Sequence, residues 1–194
     1  MVSSLTLKTA PTKDAVTVAE AKTHLRILDT NDDTKIGLIV SEATRWAEGM
    51  MGKAIISQTW TWRADAFPGV IYLDMPPLNS VTHVKYYDTA GVLQTLTAVT
   101  DYQTDIYSTP GRIAPAYGTS WPSTKGIFNA VEVEFICGMA SSEVNLALIP
   151  DGKHIREQVL KVVAFSYENR GEGTLLKIPE DAEKAILSHK WSWG

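Results

Sequence analysis

At 194 residues the chain can hold one domain with a substantial core, or one domain carrying an insertion. Its 44% hydrophobic and 21% charged content is that of a soluble globular protein, and a formal net charge of −4 argues against non-specific nucleic-acid binding, which needs a basic footprint. The single cysteine, Cys137, excludes an internal disulfide. No apolar run approaches the roughly 18 residues of a membrane-spanning helix, and residues 1–10 lack a signal-peptide pattern, so synthesis in the cytoplasm is expected.

Thr17-Val18-Ala19-Glu20 has the form of a capping box, in which hydroxyl and carboxylate satisfy the free donors of a helix start. Val18, Ala21, Leu25 and Leu28 then recur at helical spacing and predict a short amphipathic helix ending near residues 27–29. Asn31-Asp32-Asp33 signals a second start, because acids there complement the helix dipole. Ile36, Ile39, Val40, Ala43, Ala47 and Met50 form the apolar stripe of that longer helix, and Gly52 is its stop.

The period then changes. Residues 56–63, 70–75, 81–88, 92–97, 102–107 and 130–137 read as strands; in the last, Val131, Val133, Phe135 and Cys137 alternate with Glu132, Glu134 and Ile136. Pro76-Pro77, Asp88-Thr89-Ala90-Gly91 and Pro110-Gly111 supply turns, and short strands joined closely imply an antiparallel sheet or small sandwich. Helical spacing returns with Ile155, Val159, Val162 and Val163 over about 151–170, and Pro179 opens a last helix carrying Ala182, Ala185, Ile186 and His189. The expected class is α+β. Residues 1–54 and 141–194 form the two parts of a helical bundle, and residues 55–140 are an inserted antiparallel β region. Helices from both ends are needed because one short helix cannot hold its own fold.

No catalytic constellation emerges. Gly49–Ala54 lacks the first glycine, the Ser/Thr and the preceding strand of a phosphate loop, and reads as a helix C-cap. His24, His83, His154 and His189 have no metal-ligand spacing, and no cofactor is implied. Asp101 and Asp105 are the only suggestive carboxylate pair, but turn acids are commoner; Glu132 and Glu134 read as the solvated side of their strand. Cys137 reads as a small core residue. Trp60 and Trp62 share one strand face, Trp121 precedes Pro122 at a corner, and Trp191 and Trp193 stand at the end of the sequence. The last two either fold back or dock into another subunit, since aromatic anchors are enriched at interface centres.

Thr17–Arg26, Gly52–Trp60 (GKAIISQTW), Pro76–Asp88 (PPLNSVTHVKYYD), the run from Pro110 to Gly138 and Tyr167–Gly171 (YENRG), taken in order and spacing, resemble the head–tail connector (adaptor) proteins of long-tailed bacteriophages. The likeness runs from about Val16 to Trp191. It implies a non-enzymatic virion protein of the neck, forming a ring, usually dodecameric, between the portal and the tail-completion or tail-terminator proteins. The genome would pass through its channel without sequence-specific binding, and no membrane is involved. The family's C-terminal segment commonly engages the portal. That segment maps here to residues 175–194, with Leu175, Leu176, Ile178, Ile186, Trp191 and Trp193 as candidate docking residues. Residues 108–125, with Arg112, Tyr117 and Trp121, are a candidate inter-subunit loop.

Two other readings compete. A tail-completion or terminator protein would differ only in partner. A carbohydrate-binding or hydrolytic domain would expose Trp60, Trp62 or Trp121 beside carboxylates. The adaptor reading predicts these tryptophans buried and residues 175–194 rapidly lost to protease.

Overall fold

The computed structural model describes residues 3–169 and 178–191. The chain forms two compact units. One comprises Met1–Pro11 and Ser57–Gly138, the other Thr12–Ile56 and Met139–Gly194. The expected α+β class holds.

The second unit is helical. Its capping box is realised at the start of α1 (Val18–Leu25): the Glu20 amide donates to Thr17 Oγ1 at 3.1 Å, and the Thr17 amide donates to Glu20 Oε2 at 2.8 Å. The helix stops earlier than its periodicity predicts. Arg26 turns left-handed (φ 59°), the Ile27 amide folds back on Lys22 O, and Leu28 stands exposed rather than in the stripe. α2 (Asp33–Met51) buries Ile36, Ile39, Val40, Ala43, Ala47 and Met51, with Met50 only partly covered. Gly52 ends it at φ 64°, donating to Glu48 O.

A one-turn helix, α3 (Glu143–Leu146), precedes α4 (Pro150–Glu168). It is too short to carry a periodic pattern and is set by the Ser142 cap, whose hydroxyl accepts from the Asn145 amide. Pro150 opens α4, where its missing N–H costs nothing. α4 buries Ile155, Val159, Val162 and Val163, and α5 (Glu180–Leu187) buries Ala182 and Ile186. α4 packs on α1, α2 and α5, so the core of this unit is shared between helices from the two halves of the chain.

The first unit holds two antiparallel sheets. The larger has the order β1 (Ser3–Thr9), β2 (Gln58–Ala64), β8 (Val131–Cys137), β4 (Leu78–Tyr87), β5 (Leu93–Leu96). The smaller is β3 (Ile71–Leu73), β7 (Gly111–Pro115), β6 (Tyr102–Asp105). Val131, Val133, Phe135 and Cys137 of the central β8 are all buried, as their alternation requires. The β4–β5 turn is tied by Asp88, which accepts from the Ala90 and Val92 amides and the Gln94 side chain, with Gly91 at φ 86°.

Two strands depart from expectation. The N-terminal residues, expected with the helical part, run as β1 along β2 from Ser3↔Ala64 to Thr9↔Thr59. Their Leu5 and Leu7 alternate with polar residues, but an edge strand needs little burial and so leaves a faint sequence signal. Gly111–Pro115 is a strand rather than part of a loop. Gly111 is required there: a Cβ would fall 2.4 Å from Leu78 Cβ.

Candidate assembly surfaces

In the β unit, Arg112 sits within β7 and not in a loop, and its guanidinium donates to Asp105 Oδ2 at 3.0 Å. Asp105 also accepts from the Ser108 hydroxyl and from the Ser108 and Tyr107 amides. The Ser108 hydroxyl first, then these amides and Arg112, hold its carboxyl at about 2. Asp101 accepts from the Thr97 amide at 2.7 Å. Both acids therefore organise turns. Beyond β7, Tyr117 is fully exposed, and Tyr107 nearly so.

Trp121 is half-buried. It stacks on Phe67 with ring centroids 4.5 Å apart and an interplanar angle of 7°, and its indole N–H donates to Gly69 O at 3.3 Å. Trp62 is 7% exposed and Trp60 half-buried. Of the three, only Trp62 is buried as the adaptor reading expects; Trp60 and Trp121 are half-buried, and none of them is among the exposed large apolar side chains that a carbohydrate platform would need.

Glu132 and Glu134 are not a solvated face. β8 is flanked on both edges, so each carboxylate meets cross-strand partners. Glu132 accepts from Arg63 at 2.6 Å and lies 3.2 Å from His83 Nε2; Glu134, 8% exposed, pairs with Lys8. Burial raises the Glu132 carboxyl, but hydrogen bonds from His83 and Arg63 outweigh it and leave it below the usual range.

In the helical unit, the docking candidates divide. Ile186 is fully buried in the core, and Ile178 packs against it. Residues 175–194 are therefore not a free tail as a whole, because α5 contributes Ala182 and Ile186 to the core. Trp191 is half-buried. Its amide donates to Met51 O at 2.8 Å, and a Cβ placed on Gly52 would lie 4.0 Å from its ring. Leu175, Leu176 and Trp193 lie outside the described residues.

Sequence spacing missed one pair: His154 Nδ1 lies 2.8 Å from His189 Nε2. The two are 35 residues apart, and only the packing of α5 on α4 joins them. A groove of about 640 Å³, lined by Ala19, Thr23, His24, Arg156 and Leu160 among others, runs between α1 and α4. Among the described residues, no three His, Cys, Asp or Glu side chains gather as a metal site.

Residues 15–91, from before α1 to the β4–β5 turn, match the sequence model of the family described as phage gp6-like head–tail connector protein. No curated protein matches. Among solved structures, a chain from the neck of an empty gene transfer agent particle, computed with C6 symmetry, superposes with a TM-score of 0.79 at 23% identity. The alignment covers 98% of this chain and 97% of that one. A chain of the native gene transfer agent virion gives 0.77 at 23% identity over 98% and 96%. A chain from the native particle's neck, computed with C12 symmetry, gives 0.72 at 24% over 98% and 97%. The sequence of residues 15–91 thus matches the gp6-like head–tail connector family, and the chain shares its fold with gene transfer agent neck chains.

Proposed function

We propose that this chain is a structural protein of the virion neck, one subunit of a ring that joins a portal to tail-completion proteins and surrounds the exit path of the genome. The observation that carries this is the agreement of fold over nearly the whole chain with subunits from particle necks, together with the connector match at residues 15–91. Ring closure needs two different complementary faces on each copy, since a heterologous contact closes only when its rotation does. Exposed Tyr107 and Tyr117 on the β unit suit one such contact. A channel that passes DNA should not grip it. At −4 per chain, about twelve copies carry roughly −48, which favours passage over binding.

Docking to the portal is assigned to the C-terminal residues, with Trp191 and Trp193 as aromatic anchors and Leu175 and Leu176 beside them. Deleting residues 175–194 would remove α5 from the core, so point variants are the sounder test. Purified protein is mixed with its cognate portal and the complex separated by sedimentation. The intact chain should co-migrate with portal, and a Trp191→Ala, Trp193→Ala chain that retains its helical signal should not. Failure of the intact, folded protein to associate at micromolar concentration would overturn the reading.

A further inference from the structure

We propose that His154 and His189 form a proton-sensitive clasp that holds the segment leaving α5 against the start of α4. The two ring nitrogens face each other at 2.8 Å, with ring centroids 5.1 Å apart and planes inclined by 55°. A neutral imidazole has one donor and one acceptor nitrogen, whereas an imidazolium has two donors. The bond therefore requires at least one neutral ring. When both rings are protonated, two N–H groups and two positive charges oppose each other across the former bond.

Within five residues of His154 or His189 the charged groups are Asp151, Lys153, Arg156, Glu157, Lys184 and Lys190, and α2, which packs on α4 and α5, carries Glu48 near its end with Lys53 just beyond. Among the described residues, no carboxylate forms an ion pair with either imidazole. Two residues beyond His189, the Trp191 amide bond to Met51 O is the next attachment. The clasp and this bond hold the same short segment in series. Loss of the first removes the side-chain attachment of this segment to α4 and leaves the Trp191 amide bond to Met51 O in place. Protonation of the second ring is what the bond opposes, so the segment should loosen as the medium is acidified. The use of such loosening, to present Trp191 to a partner, rests on the adaptor reading; the clasp itself does not.

The test is amide hydrogen exchange at Trp191 in the isolated full chain, corrected for intrinsic rates, at about pH 7.5 and about pH 5. Protection should fall about tenfold or more at the lower pH, while amides of α2 keep theirs. In His154→Leu and in His189→Asn, the latter in an exit turn where folding is little at risk, protection should be low at both pH values. Equal protection at both pH values in the folded wild-type chain overturns the clasp. So does a wild-type-sized pH response in either folded variant. No portal is used, so failure here leaves the neck assignment standing, and failure to bind portal leaves the clasp standing.

Discussion

Arg156 in α4 reaches across to Glu20 in α1, the residue that closes the capping box, and its Nε donates to Ala15 O at 3.1 Å. One guanidinium thus ties the entry of the first helix to a helix more than a hundred residues later. Burial raises the Glu20 carboxyl, but the Thr17 amide, Arg156 and the Thr17 hydroxyl together bring it below its ordinary value.

Arg156→Met should therefore destabilise the helical unit by about 1–2 kcal/mol in urea titration, the range for a charge-assisted hydrogen bond at a half-exposed site. Glu20 is depressed on folding, so its contribution is present above the ordinary carboxylate range and lost as pH falls through and below it. The gap between wild type and Arg156→Met should narrow below about pH 4. A gap that stays constant down to that pH would contradict the assignment.

Two glycines in helices should respond to alanine with opposite signs. A Cβ on Gly152 would fall 2.0 Å from the Leu146 carbonyl oxygen, a backbone atom that cannot give way cheaply, so Gly152→Ala should destabilise by about 1–3 kcal/mol or more. At Gly49, within α2, a Cβ meets nothing within 4 Å, so Gly49→Ala should stabilise by about 0.5–1 kcal/mol through helix propensity. Thermal melts of the two variants decide the pair.

Asp105 should titrate with a midpoint at about 2, read from its carboxyl carbon shift by NMR. Its folded value lies below the ordinary one, so its share of loop stability is complete above about pH 4 and disappears as pH falls through about 2. Asp105→Asn, which keeps the shape but loses the charge, should raise amide exchange at Tyr107 and Ser108. An ordinary midpoint near 4 would contradict the hydrogen-bonded turn.

The longer helices were legible because their stripes, capping box and C-cap glycine are local signals, whereas the four-residue α3 carries none of these. Thr17, Glu20 and Gly52 each act within one turn of themselves. β8 was legible for the same reason, its alternation spanning seven consecutive residues. β1 was not, because an edge strand gains its place from the partner β2 and leaves its side chains in solvent. β7 hid behind Pro110-Gly111, a turn signal that serves here to let Gly111 pass close to Leu78. The partners of Glu132 and Glu134 depended on sheet order, and the meeting of His154 with His189 on helix packing; neither is written in local spacing. Trp191 was expected to fold back or to dock. Its amide bond to Met51 O ties its backbone to the end of α2.

The central claim is a ring that seats on a portal, and its most direct test is the mass of the complex in native mass spectrometry. The account predicts one species: a single portal carrying one closed ring of this chain, about twelve copies, with no partially filled states at saturation. A ladder of independently bound monomers, or no complex between folded partners, would contradict it.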